Sequence, residues 1–169
     1  MTDTREFVLK DGVKYLHHPD GGGLVAETSK VAKTAYVGPD ALVKDQTQVL
    51  DEARIEDQAI VGAKAVVKDK ARISGNALVG GKAQVFGNAS ISDRAQVWDN
   101  AQVFGDARVS EITQVMGEAQ VFGNAKIFGK ALVWGNAQVS GEAQVSGNAS
   151  ITGSAKIFKG EINDGLVQR

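Results

Sequence analysis

The chain contains no cysteine and has almost no net charge. Without cysteine, disulfide bonds and thiolate metal sites are excluded. The net charge of −1 over 169 residues gives no electrostatic reason to expect nucleic acid or an acidic membrane as a partner. No apolar run is long enough to cross a membrane, and the polar N-terminus lacks the apolar core of a signal peptide. We therefore expect a cytoplasmic protein.

What the chain does contain is a strict six-residue repeat. Valine or isoleucine occupies every sixth position from Val31 to Ile157, twenty-two positions without an insertion or deletion. A small residue stands two positions earlier each time: alanine in nineteen cases, Thr47 and Thr113 in two, and Ser29 in the first. A repeat this strict indicates an architecture before any motif is considered.

The period does not fit an α-helix, but it fits a strand. On a helix, residues six apart point in three directions and leave no apolar face. In a strand, residues two apart point to the same side, so the alanine and valine of each unit form the inward side. The residue two after the valine is Gly or Asp in most units, as at Gly87 and Asp93. Both types tolerate the left-handed backbone of a tight corner.

Three hexapeptides make one coil, because the residues outside the core recur at multiples of eighteen positions. One column contains basic residues, a second contains phenylalanines, and a third contains tryptophan and methionine. This spacing predicts an all-β, three-sided β-solenoid of about seven coils, with equivalent residues of neighbouring coils about 4.8 Å apart.

The chain here resembles the hexapeptide-repeat proteins, whose fold is a left-handed parallel β-helix. The resemblance covers Ser29 to Gly160 and rests on the aliphatic residue with a small residue two positions before it. The left hand follows from the resemblance and not from the spacing. In the family the residue after the aliphatic one is often small or acidic, whereas here it is often Phe, Trp or Ser. The near-perfect repetition is most similar to hexapeptide-repeat proteins of bacteria and their phages.

The predicted domains are a cap at 1–28, a β-helix of twenty-two hexapeptides at 29–160 and a tail at 161–169. Two short strands around Asp11-Gly12 suggest a hairpin in the cap. A solenoid end exposes unpaired backbone and an apolar cross-section, so it needs such a cap. The tail contains little apolar material. Pairing of this end with a second copy, and a natural chain that continues beyond Arg169, are both open at this stage.

The super-period predicts three outer faces. The basic face is a candidate anion- or polymer-binding column, or else a solvated surface, and consists of Arg54, Arg72, Arg108 and Lys126. The aromatic face is either a stabilising ladder or a platform for carbohydrate or bases, and consists of Phe86, Phe104 and Phe122 beside a column of glutamines. The apolar face is the predicted oligomer interface and consists of Leu42, Ile60, Leu78, Trp98, Met116, Leu132 and Trp134.

This chain has few of the residues that enzymes of the family use for catalysis. The resemblance implies either acyltransferases with a histidine base in the coils, often near an inserted loop, or zinc enzymes with three histidine ligands. This chain has only His17 and His18, both in the cap, and no interruption of the repeat. We therefore predict no catalytic residue, no metal and no cofactor, and a non-enzymatic structural, assembly or binding module.

Self-association is expected, since relatives commonly form parallel trimers, and an end-to-end dimer is the competing geometry. A further protein or polymer ligand remains unidentified. Two alternatives stay open. One is an acyltransferase-like enzyme that uses His17 or His18 at a subunit boundary. The other is an end-to-end filament, similar in concept to bactofilins.

Overall fold

The computed structural model describes residues 7–10 and 12–168. Within them the chain forms short strands joined by turns, with no helix. Consequently, no described segment could cross a membrane as a helix.

The first strands in chain order are β1 Phe7–Lys10, β2 Val13–His17, β3 Leu24–Ala26, β4 Lys30–Val31, β5 Tyr36–Val37, β6 Leu42–Val43, β7 Gln48–Val49, β8 Arg54–Ile55, β9 Ile60–Val61, β10 Val66–Val67, β11 Arg72–Ile73, β12 Leu78–Val79, β13 Gln84–Val85 and β14 Ser90–Ile91. They are followed by β15 Gln96–Val97, β16 Gln102–Val103, β17 Arg108–Val109, β18 Gln114–Val115, β19 Gln120–Val121, β20 Lys126–Ile127, β21 Leu132–Val133, β22 Gln138–Val139, β23 Gln144–Val145, β24 Ser150–Thr152, β25 Lys156–Ile157, β26 Glu161–Ile162 and β27 Leu166–Gln168.

Every third strand joins the same sheet, so the chain winds as a β-solenoid with three sheets. One sheet has eleven strands, from β1 through β3, β6 and β9 to β27, and two have eight, from β4 to β25 and from β5 to β26. In the last of these, Arg72 lies opposite Arg54 on one side and Ser90 on the other. The predicted eighteen-residue turn is confirmed, and there are about eight turns rather than about seven.

The inward positions form one continuous core of stacked methyl groups. The alanines and valines of the repeat are almost all completely buried, and four isoleucines stack with Val109 in a single column: Ile55, Ile73, Ile91 and Ile127. Thr47 and Thr113 are also buried. Their hydroxyls donate to the carbonyl oxygens of Lys44 at 2.7 Å and Ser110 at 2.9 Å, so neither is left without a partner in the core.

The corners have the left-handed backbone that the Gly/Asp pattern predicts. Every sixth residue from Asp45 to Gly153 has a positive φ. Where this residue is acidic, its carboxylate accepts the backbone N–H of the corner residue one turn later. Asp69, for example, lies 2.9 Å from the Gly87 nitrogen, and Glu111 lies 3.0 Å from the Gly129 nitrogen. The corner acids therefore connect consecutive turns, a role that the sequence pattern alone did not indicate.

Strand pairing continues at both ends of the regular repeat. At the N-terminus β1 and β2 form the predicted antiparallel hairpin around Asp11, which itself lies outside the described residues, and β2 pairs with β3. At the C-terminus Gln144 pairs with Glu161 and Ser150 with Leu166. Residues of the 161–169 segment thus form two further solenoid strands, in a last turn that is one and then two residues shorter.

Substitution of a corner carboxylate tests the hydrogen bond that connects one turn to the next. Replacing Asp69 with Ala removes a charge-assisted hydrogen bond and keeps a side chain at a positive φ, so we expect a loss of about 1–2 kcal/mol in the free energy of unfolding. Asp69→Gly loses the same bond but relieves the backbone strain, and should stay within about 0.5 kcal/mol of the parent. Asp69→Asn, which keeps an acceptor, is the matched control. Urea unfolding measures all three, and an equal loss for Ala and Gly would contradict the assignment.

Candidate functional site

The predicted interface residues all lie on the outer side of the eleven-stranded sheet. Leu42, Ile60, Leu78 and Leu132 lie in β6, β9, β12 and β21, and each is partly exposed. Trp98, Met116 and Trp134 follow directly after β15, β18 and β21, at one corner of this sheet. The two tryptophans are 37% and 45% exposed, which is high for such large apolar side chains.

The apolar face is divided into two clusters by polar residues that the sequence prediction passed over. Gln96 and Gln114 occupy the outward positions of β15 and β18, between Leu78 and the next leucine. Trp98 and Met116 lie on consecutive turns of the same corner, but the Trp98 ring leans towards Gly80 and away from Met116. We therefore define an N-terminal cluster of Leu42, Ile60, Leu78 and Trp98 and a C-terminal cluster of Met116, Leu132 and Trp134.

Ile112 is an exposed apolar residue that the sequence reasoning missed. It lies in the corner that leads into β18 and is 52% exposed. The sequence did indicate that Ile112 is exposed, because it is out of phase with the six-residue core pattern. The equivalent positions of the neighbouring turns are Arg94 and Lys130. It adds apolar surface to the same turn as Met116.

The aromatic face has a geometry that favours stability over stacking of a ligand along its length. The rings of Phe86 and Phe104 are 4.8 Å apart and parallel, and those of Phe104 and Phe122 are 4.9 Å apart with an angle of 1°. The Lys68 ammonium lies 5.2 Å from the centre of the first ring. Both faces of Phe86 and of Phe104 are thus covered, by a neighbouring ring or by Lys68, and Phe122 has one face covered by Phe104. Beside them Gln84, Gln102, Gln120 and Gln138 stack in register.

In the N-terminal half of the basic face, both arginines are paired with one carboxylate. Glu56, whose side chain is only 12% exposed, accepts from Arg54 Nε through Oε1 at 2.6 Å and from Arg72 Nε through Oε2. The Arg54 guanidinium also lies 4.3 Å from the centre of the Tyr36 ring. No ion pair is recorded within residues 7–10 and 12–168 for Arg108 or Lys126. The column predicted to bind anions therefore has two unpaired cations instead of four.

The two histidines of the cap contact backbone atoms. His18 is 7% exposed, and its Nε2 lies 3.2 Å from the Ala32 carbonyl oxygen. Its Nδ1 lies 3.0 Å from the Asp20 carbonyl oxygen and 3.3 Å from the Asp20 nitrogen, so both ring nitrogens contact backbone atoms. His17 donates from Nδ1 to the Gly22 carbonyl oxygen at 2.7 Å. In the described part of the chain, no three His, Asp or Glu residues are grouped as metal ligands.

Comparisons of the chain with protein-family models, curated proteins and solved structures give no match. The surface of the solenoid is therefore the basis for any functional argument.

The stacked phenylalanines allow a second test of the surface. Phe104 contacts a ring on each side, whereas Phe122 contacts one, so Phe104→Ala should lose about twice the stacking contribution, which is about 0.5–1.5 kcal/mol per pair. Urea unfolding of Phe104→Ala, Phe122→Ala and the double variant measures the coupling. Equal losses, or losses that simply add in the double variant, would show that the rings contribute only by their individual burial.

Proposed function

We propose that this protein is a non-enzymatic hexapeptide-repeat solenoid that self-associates through its apolar face. The observation that carries the proposal is the C-terminal cluster, in which the exposed Trp134 and its partly exposed neighbours Met116 and Leu132 form an apolar surface beside a hydrogen-bonded sheet. Tryptophan and methionine are enriched at interfaces, and tryptophan is the residue type that most often anchors them.

The energetics favour burial of this cluster against a second copy. Each large apolar side chain removed from water contributes about 1.5–3 kcal/mol, and Trp134, Met116, Leu132 and Ile112 lie on two consecutive turns. Hydrogen bonds join the backbone around them to the turns on both sides. The backbone N–H of Trp134, for example, donates to the carbonyl oxygen of Ile151 at 2.9 Å. A surface that is already ordered loses little conformational entropy on association. A side-by-side trimer with parallel axes is the arrangement that we expect.

The enzyme alternative receives less support from the cap. The two histidines on which it depends already make backbone contacts, and His18 is buried. General base catalysis needs a nitrogen within reach of the substrate. The side chains of His17 and His18 instead position the 18–23 loop, which pairs with β5 through Gly23 N to Val37 O at 2.9 Å.

Self-association is tested by mass. We expect the parent protein to have one discrete mass above the 17.8 kDa of a single chain at two concentrations in sedimentation velocity. Trp134→Glu should shift it towards the single-chain mass, because a carboxylate cannot be desolvated in an apolar interface without a partner. Gln120→Glu, on the aromatic face, is the matched control and should keep the parent mass. Adding Trp98→Glu to Trp134→Glu should weaken association further only if the N-terminal cluster is also covered.

Four outcomes would overturn the proposal. A parent protein that sediments as a single chain, or a Trp134→Glu variant with unchanged mass, would remove the interface. A mass that rises without limit with concentration would favour the end-to-end filament. Release of thiol from an acyl-CoA in the presence of amines, abolished by His17→Ala or His18→Ala, would establish the enzyme alternative instead.

A further inference from the structure

The N-terminal cluster of the apolar face contains a hollow. It has a volume of about 200 Å³, is lined chiefly by apolar atoms, and has Ile60, Leu78 and Val79 at its base. Trp98 forms one wall, and Lys44 with Asp45 forms the other.

Two glycines create this hollow. Lys44, Gly62, Gly80 and Trp98 occupy the same corner position in four consecutive turns. The Trp98 ring leans over Gly80, so that a Cβ at Gly80 would collide with the ring carbons Cζ3 and Cε3. The stem of Lys44 leans the opposite way, with its Cε 2.8 Å from the place of a Gly62 Cβ. An aromatic wall and an amine therefore converge on the same space from opposite directions.

The charges around the hollow favour an anion. Lys44 has no recorded ion pair in the described part of the chain. The nearest carboxylate, Asp45, already accepts the backbone N–H of Ala63 at 2.7 Å. Around the corner Lys64 and Lys82 line a wider groove of about 640 Å³ that shares Asp45 and Ala63 with the hollow. The residues that line the hollow and the groove thus include three amines and one carboxylate, that of Asp45.

We infer that the hollow binds a small aromatic carboxylate, with its ring against Trp98 and its carboxylate at the Lys44 ammonium. The apolar base removes the ring from water, and the indole offers a flat partner for offset stacking. A charge-assisted hydrogen bond to the amine then distinguishes the acid from its neutral analogues. The hollow is lined by residues of the N-terminal cluster and by none of Met116, Leu132 and Trp134.

The two tryptophans make the test specific. Trp134→Phe leaves Trp98 as the sole tryptophan and keeps the C-terminal cluster apolar. Titration of this variant with phenylacetate should give a saturable change in tryptophan emission. Phenylacetamide, which has the same shape without the charge, should bind at least about tenfold more weakly, the factor that corresponds to one favourable charged contact. The reciprocal variant Trp98→Phe, which reports from Trp134, should show no saturable response.

Two substitutions in the Trp134→Phe background locate the site. Gly62→Val should fill the hollow, displace the flexible Lys44 stem and so abolish binding; its backbone allows a side chain, because Gly62 has no positive φ. Lys44→Met should reduce the affinity for phenylacetate to that for phenylacetamide, while Lys126→Met on the basic face should leave it unchanged. Thermal unfolding of each variant verifies that the solenoid is intact.

The inference is overturned by any of three results. These are no saturable response in Trp134→Phe, equal affinity for phenylacetate and phenylacetamide, or binding that survives both Gly62→Val and Lys44→Met. Sedimentation of the same samples reports the oligomer separately, so a failure of self-association and a failure of this site give different outcomes.

Discussion

The structure depends on the equal length of its turns. The backbone N–H of an outward residue in one turn donates to the carbonyl oxygen of an inward residue in the next. Gln84 donates in this way to Ala101 at 2.9 Å, and the same contact recurs along all three sheets. Because equivalent residues face each other, alanine and valine or isoleucine fall inside on every side. A single extra residue inside a strand would move its later inward side chains to the outside, since the side-chain period of a strand is two. In the last turn the connections before β26 and β27 are each one residue shorter, and both strands keep their inward residues in register.

The same alignment controls the surface. Each outward side chain lies next to its equivalents in the turns before and after it, about 4.8 Å away. Like charges in such a column repel, and the basic face relieves this by placing Glu56 between Arg54 and Arg72. Aromatic rings in such a column stack, and corner carboxylates bond to the next backbone N–H. Side chains on this solenoid therefore pair with side chains or backbone groups of the neighbouring turns. A ligand can bind only the groups that these pairs leave free.

The sequence was sufficient for the core, the corners and the three faces, because each follows from a period. It was insufficient wherever the direction of a side chain decides the outcome. Gly62 and Gly80 have no side chains of their own, yet Lys44 and Trp98 lean across them and enclose a hollow. The phenylalanine column looked like a possible platform, yet its rings cover one another. The final turn was not recognised as part of the solenoid, because Ile162 and Val167 are out of phase with the valines before them.

The constant separation between paired strands also bears on how the chain folds. Almost every sheet contact joins residues eighteen positions apart, as in the pairing of Gln102 with Gln120. Adding any one turn to a growing solenoid thus closes a loop of the same length and costs nearly the same entropy, wherever in the chain it occurs. No turn must wait for a distant part of the sequence. Folding can nucleate at any pair of neighbouring turns and propagate in both directions along the chain.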